Sequence, residues 1–213
     1  MKATVISLRI LYPLWAIVGM FSLLYVPSQL VDFNDPLLTA KEIGANELLF
    51  RVGIMGSLVT QLLFILIAWL LGQLFNNTSK KAVQWMLILS FISVPMAMFN
   101  ELNHVAALLN IADPSRMLFF LKLHQMGINI ASFFWGLWLF PLGNLIYKSG
   151  AVPKWIGATV MIAGLGYFCA ALIKIVFPNA TALLPVFEAC TFGEVLWMLW
   201  LTIVGTKKSW IPV

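Results

Sequence analysis

Apolar residues in this chain come in long unbroken runs, with neither the strict alternation of a half-buried strand nor the narrow stripe of a soluble amphipathic helix. Six runs stand out: Ile10–Val26 with flanks reaching about residue 28, Leu48–Phe75, Val83–Asn110, Leu118–Tyr147, Trp155–Phe177 and Leu184–Gly205. A bilayer core about 30 Å thick needs about 20 helical residues at about 1.5 Å each, so every run predicts a transmembrane helix. Continuous apolarity is also the wrong pattern for barrel strands, which alternate between lipid and lumen. The expected fold is all-α: a polytopic integral membrane bundle of six transmembrane helices, forming a single domain over residues 1–213. Lys2 and Arg9 precede the first run, but no small-residue cleavage site follows Tyr25-Val26-Pro27, so a retained anchor is expected.

The breaks between the runs carry their own signals. Only the connection from Pro27 to Glu47 is long. Within it Asn34-Asp35-Pro36 predicts a helix start, Gly44 a stop, and Asn46 a cap for the second span with Glu47 in its first turn. A short amphipathic helix over the outer face and a solvated loop both fit that stretch. Pro95 and Pro141 predict kinks in spans three and four. Gly136, Gly143, Gly157, Gly164, Gly166 and Ala170 predict close approach of spans four and five.

Composition narrows the class further. Apolar residues make up 62% and charged residues 10%, and the mean hydropathy is +0.95. A soluble chain has about 45–50% and about 25% respectively, so a soluble enzyme, a disulfide scaffold, a disordered regulator and a nucleic-acid module are all excluded. The net charge of +5 has a topological reading. Lys2, Arg9, Lys80, Lys81, Lys148, Lys154, Lys207 and Lys208 fall at one set of span ends. Asp32, Asp35, Glu42, Glu47 and Asp113 fall at the other, against only Lys41 and Arg116. The positive-inside rule then places both termini in the cytoplasm. Cys169 and Cys190 lie inside spans and read as small apolar residues.

Ionisable side chains at membrane depth are costly and mark functional sites by default. Eight occur here: Arg51, Glu101, His104, Lys122, His124, Lys174, Glu188 and Glu194. Given the direction of each span, all eight fall in the outer half of the bilayer, and Asn100 and Gln125 lie near them. Arg51, Lys122 and Lys174 sit close enough to helix ends to snorkel, whereas Glu101 and Glu194 are too short to do so. Three cations and three carboxylates at one level point to internal pairing. On span three Asn100, Glu101, Asn103 and His104 share one side at about 100° per residue. On span four Lys122, Gln125, Asn129 and Ser132 form a stripe from which His124 projects elsewhere. Glu101 and His104 have the Glu-x-x-His spacing by which one helix offers two metal ligands. A divalent metal held by Glu101, His104 and Glu194, with His124 or Glu188 added, is one reading, and a hydrogen-bonded or ion-paired cluster is the other. No phosphate loop, Ser-His-Asp order or Cys-x-x-Cys pair occurs.

The stretch Phe140-Pro141-Leu142-Gly143-Asn144-Leu145-Ile146-Tyr147-Lys148-Ser149-Gly150, then Pro153-Lys154-Trp155-Ile156-Gly157 and Ala163-Gly164-Leu165-Gly166-Tyr167, resembles a bacterial membrane family known as domain of unknown function 4386. Asn46 to Arg51, and Glu194 with Trp197 to Gly205, resemble further landmarks of that family. Asn144 stands where the family pattern has an aromatic residue. The resemblance covers nearly the whole chain and implies a small multi-pass protein of the bacterial plasma (inner) membrane. It brings no reaction, and it implies that Arg51 and Glu194 belong to a shared design.

The expected function is a membrane protein with an outward-facing polar pocket formed by Arg51, Asn100, Glu101, His104, Lys122, His124, Gln125, Lys174, Glu188 and Glu194. Its partners are the lipid bilayer, a small-molecule or lipid-derived ligand, or another membrane protein, and nucleic acid is not among them. The alternatives are an intramembrane metal-dependent lipid hydrolase and a small-solute or proton-coupled transporter. Charges that stop at mid-membrane weigh against the transporter.

Overall fold

The structure is a computed structural model and describes residues 2–206. Lys207 and Lys208, part of the basic pattern, lie outside the described residues. Every regular element among them is helical. The first span is continuous from α1 (Lys2–Met20) through a π-helical turn (Phe21–Tyr25) into α2 (Val26–Leu30). α3 (Pro36–Ala45) is the short helix of the long connection. α4 (Glu47–Phe75), α5 (Lys80–Leu109), α6 (Pro114–Ser149) and α7 (Lys154–Val176) are single spans. The last span is broken into a 3₁₀ turn (Thr181–Leu183), α8 (Leu184–Cys190) and α9 (Phe192–Ile203). Six helical stretches are thus long and apolar enough to cross a membrane.

Local chemistry accounts for the ends. Asp35 accepts from the Leu38 amide at 2.9 Å with Pro36 in the first turn, and Asp113 does the same for Arg116 at 3.1 Å ahead of α6. Asn46 does not cap α4 as expected. Its side chain turns back and donates to the Glu42 carbonyl at 3.0 Å, closing α3 one residue beyond Gly44. Gly150, at φ 70°, ends α6 in the left-handed conformation that glycine adopts without penalty. Arg9 also has a structural role. Its guanidinium donates to the Thr202 and Ile203 carbonyls at 2.8 and 3.1 Å, tying α1 to the end of α9.

Outer surfaces of the spans are apolar, as with Ile17, Phe99 and Ile203, each about two-thirds exposed or more, so lipid covers what protein does not. Inside, two apolar clusters divide the bundle along its length. One joins α1, α4, α5, α6, α7 and α9 around fully buried Tyr12, Phe75, Trp138 and Trp197. The other joins α2 to α6 around Ile43, Phe50, Met117 and Leu121, and includes no residue of α7 to α9. The bundle is therefore packed through at one end, while α7 and α8 stand apart from the second cluster at the other.

Glycine sets the closest contact. A methyl on Gly136 would lie 2.7 Å from the Gly164 carbonyl oxygen, and one on Gly164 would lie 2.8 Å from that of Gly136. Gly143 and Gly157 repeat the relation one heptad along, at 2.7 and 2.6 Å. Bare backbone on both helices is what lets α6 and α7 touch, as the small-residue pattern predicts. Both Pro95 and Pro141 sit inside uninterrupted helices.

Candidate functional site

α5 and α6 form an antiparallel hairpin, and its polar residues meet near the α5–α6 connection. Glu101 is almost wholly buried. One carboxylate oxygen accepts from His104 Nδ1 at 2.8 Å, a turn further along α5. The other accepts from His124 Nε2 of α6 at 3.2 Å and from Ser57 Oγ of α4 at 2.7 Å. Three helices thus supply donors to one carboxylate, which offsets the cost of burying it. The imidazoles stack, with ring centroids 3.5 Å apart and planes 24° from parallel. Phe50 closes the outer edge of His104 at 5.2 Å.

Asn100 holds the hairpin in register. Its Nδ2 donates to the His124 carbonyl at 2.8 Å, and its Oδ1 accepts from Asn103 at 3.0 Å. Gly127 makes room for that amide, since any Cβ there would collide with it. His124 therefore has both backbone and ring fixed by α5.

Beside the imidazoles lies a cavity of about 390 Å³, between the π-helical turn, α6, α7 and α8. This is the gap left where α7 and α8 stand off from the second apolar cluster. His104 and His124 line one side, with Gln125 and Asn129 next along α6. Across from them Lys174 donates to Glu188 at 2.8 Å, joining α7 to α8. Leu24, Phe33, Ile128 and Trp135 make the rest largely apolar. Single π-helical turns are frequent at functional sites, and the one at Phe21–Tyr25 borders this cavity through Ser22 and Leu24.

The structure sorts the expected site residues into groups. Glu101, His104 and His124 converge, with Asn100 as their support. Gln125, Lys174 and Glu188 line the same cavity. Arg51 does not join them: it is exposed and pairs with Glu47 at 2.7 Å, one turn back on α4. Lys122 is exposed on α6 and does not line the cavity. Glu194 is buried elsewhere, beside the hydroxyls of Tyr167 and Tyr12, and shares no partner with Glu101. Of the three cations and three carboxylates expected to pair among themselves, only Lys174 and Glu188 do so among the described residues.

His124, not Glu194, is accordingly the third group of the Glu-x-x-His cluster. The stripe read on α6 also differs, since His124 joins Gln125, Asn129 and Ser132 at the cavity while Lys122 leaves it. Ser57 escaped the sequence reading. Its signal was Gln61, one turn on, which is buried on the same face of α4.

The model of a family described as Domain of unknown function (DUF4386) matches residues 10–205. An uncharacterised protein from Archaeoglobus fulgidus is 40% identical over 82 residues, which are 38% of this chain and 48% of that protein. The match thus spans about half the length of that relative. No solved structure matches the chain.

Proposed function

We propose that this chain, which belongs to the DUF4386 family, is a membrane-embedded binding protein whose cavity takes the polar end of a small amphiphile, a lipid or lipid-derived molecule. The observation that carries this reading is the cavity itself, about 390 Å³ with imidazoles on one side, an ion pair on the other and apolar residues between them. That volume falls within the range of about 300–1,000 Å³ typical of small-molecule sites, and the mixed lining suits a molecule with a polar head and an apolar tail. It is too small for a whole diacyl lipid, so the tail of such a ligand would extend into the bilayer.

The basic residues at span ends support an orientation with both termini cytoplasmic and the cavity in the outer half of the membrane. The transporter reading has less support. The half of the bundle on the other side is filled by the larger apolar cluster, with Trp138, Leu139, Leu142 and Trp197 fully buried across it.

Purification in a mild detergent, followed by mass spectrometry of the extracted small molecules, tests the proposal. Ile128→Trp places an indole in the cavity, one turn along α6 from His124, and leaves the residues of the Glu101 cluster unchanged. An amphiphile retained by wild type and depleted in Ile128→Trp is the expected result. Identical extracts from both proteins would overturn it, and co-purification of a stoichiometric membrane protein instead would reassign the surface to a partner.

A further inference from the structure

We propose that Glu101, His104 and His124 bind one divalent transition-metal ion of the zinc class, with an open coordination position toward the cavity. The proposal rests on these three side chains and Ser57, and it stands whether or not the cavity takes an amphiphile.

Ligand chemistry comes first. Two imidazoles and one carboxylate form a donor set that suits zinc and its neighbours, whereas calcium and magnesium prefer oxygen alone. Three protein ligands rather than four is the pattern of zinc sites that keep a position open. One donor atom from each residue lies within 4.8 Å of the others.

Geometry then sets how much movement an ion needs. Bonds of about 2.0–2.2 Å in a tetrahedral site put ligand atoms about 3.4 Å apart. The carboxylate oxygens stand 2.8 and 3.2 Å from the two ring nitrogens. The two contacts fall on different carboxylate oxygens, and one donor atom per residue lies within 4.8 Å of the others, so the side chains would shift to close around an ion that takes the place of the ring protons.

The surroundings match those of a ligand set. Ser57 donates to the Glu101 carboxylate at 2.7 Å, as outer-shell donors do to ligating carboxylates. Asn100 fixes the backbone that carries His124, and Phe50 packs edge-on against the His104 ring. Both imidazoles line the cavity whereas Glu101 lies behind them, so the open position would face the cavity. A cluster serving stability alone would have a cheaper solution, because apolar side chains of similar volume fill such a space as well or better than buried charges.

The full-length protein in lipid nanodiscs is stripped with a chelator, reloaded with Zn²⁺, dialysed and analysed for metal. About one tightly held ion per chain is expected, with retention falling tenfold or more in Glu101→Gln and in His124→Gln. Glu194→Gln should retain the ion. In the second arm Co²⁺ replaces Zn²⁺ and His104→Cys replaces wild type; ligation adds a thiolate-to-cobalt charge-transfer band that wild type lacks. Little bound metal in reloaded wild type, equal retention in Glu101→Gln, or no new band in His104→Cys would each overturn the assignment. Loss of the amphiphile in Ile128→Trp with the metal unchanged would separate this proposal from the previous one.

Discussion

His104 and His124 lie ring against ring, with centroids 3.5 Å apart, on helices that run in opposite directions. Glu101 accepts from both, so one carboxylate sets the separation of α5 and α6 at this level. The two imidazoles line one side of the cavity, with Glu101 behind them. Whatever occupies the cavity therefore meets a rigid wall on one side and, on the other, the α7–α8 pair held by Lys174 and Glu188.

Ser57→Ala removes a donor without adding bulk. The carboxylate keeps its imidazole partners but loses the bond that orients it. Zinc affinity should fall about 10–100-fold, the usual cost of losing an outer-shell partner. Competition with a chromophoric chelator measures it, and the helical content of the protein should not change.

Zinc occupancy should also depend on acidity. Imidazole ligates only when neutral, so protons compete with the metal and affinity should fall as the pH is lowered, by up to about a hundredfold per pH unit where both rings must lose a proton. Equilibrium dialysis over a series of pH values gives the slope.

Alanine at Gly136 or at Gly164 should loosen the bundle. Each added methyl would sit under 3 Å from the opposing carbonyl oxygen, so α6 and α7 must separate. Overpacking of this kind costs about 1–3 kcal/mol, read as a lower melting temperature in detergent. Because both substitutions push the same two helices apart, the double variant should lose less than the sum of the singles.

Reversing the Lys174–Glu188 pair separates stability from binding. Both side chains are at least a third exposed, and such a pair contributes about 1 kcal/mol or less. Lys174→Glu should barely lower the melting temperature, yet it places two carboxylates across the cavity and should abolish amphiphile retention. The double variant Lys174→Glu with Glu188→Lys restores the pair and should recover retention. Mass spectrometry of the extracts decides.

Orientation is open to direct labelling. Single cysteines at Lys81 and at Asp113, in a background without Cys169 and Cys190, report opposite sides of the membrane. A membrane-impermeant maleimide added to intact cells should label the second and spare the first, as the basic residues at Lys80 and Lys81 require.

Six spans, their helical nature and most of their ends were legible in the sequence because a bilayer imposes them. Every backbone group in hydrocarbon must be paired internally, so a long apolar run has one available conformation. Close approach at Gly136 and Gly164 was legible for a related reason, since only bare backbone allows helices to touch in lipid. The breaks within spans were harder to see. The π-helical turn at Phe21–Tyr25 has only Pro27 after it as a signal, through the N–H that proline lacks, and the interruption at Thr191 carries neither a proline nor a charge of its own.

The sequence determines the identity of the polar residues and their position along each span. Helical periodicity gave each residue an angle around its own axis, and so placed Asn100, Glu101, Asn103 and His104 on one side of α5. It could not say how far one helix is rotated against its neighbour. That rotation is set by packing at distant positions, such as the bare glycine contacts of α6 with α7 and the Asn100 bond across α5 and α6. Only the tertiary structure therefore brought His124 to Glu101, turned Lys122 and Arg51 outward, and buried Glu194 among tyrosines instead.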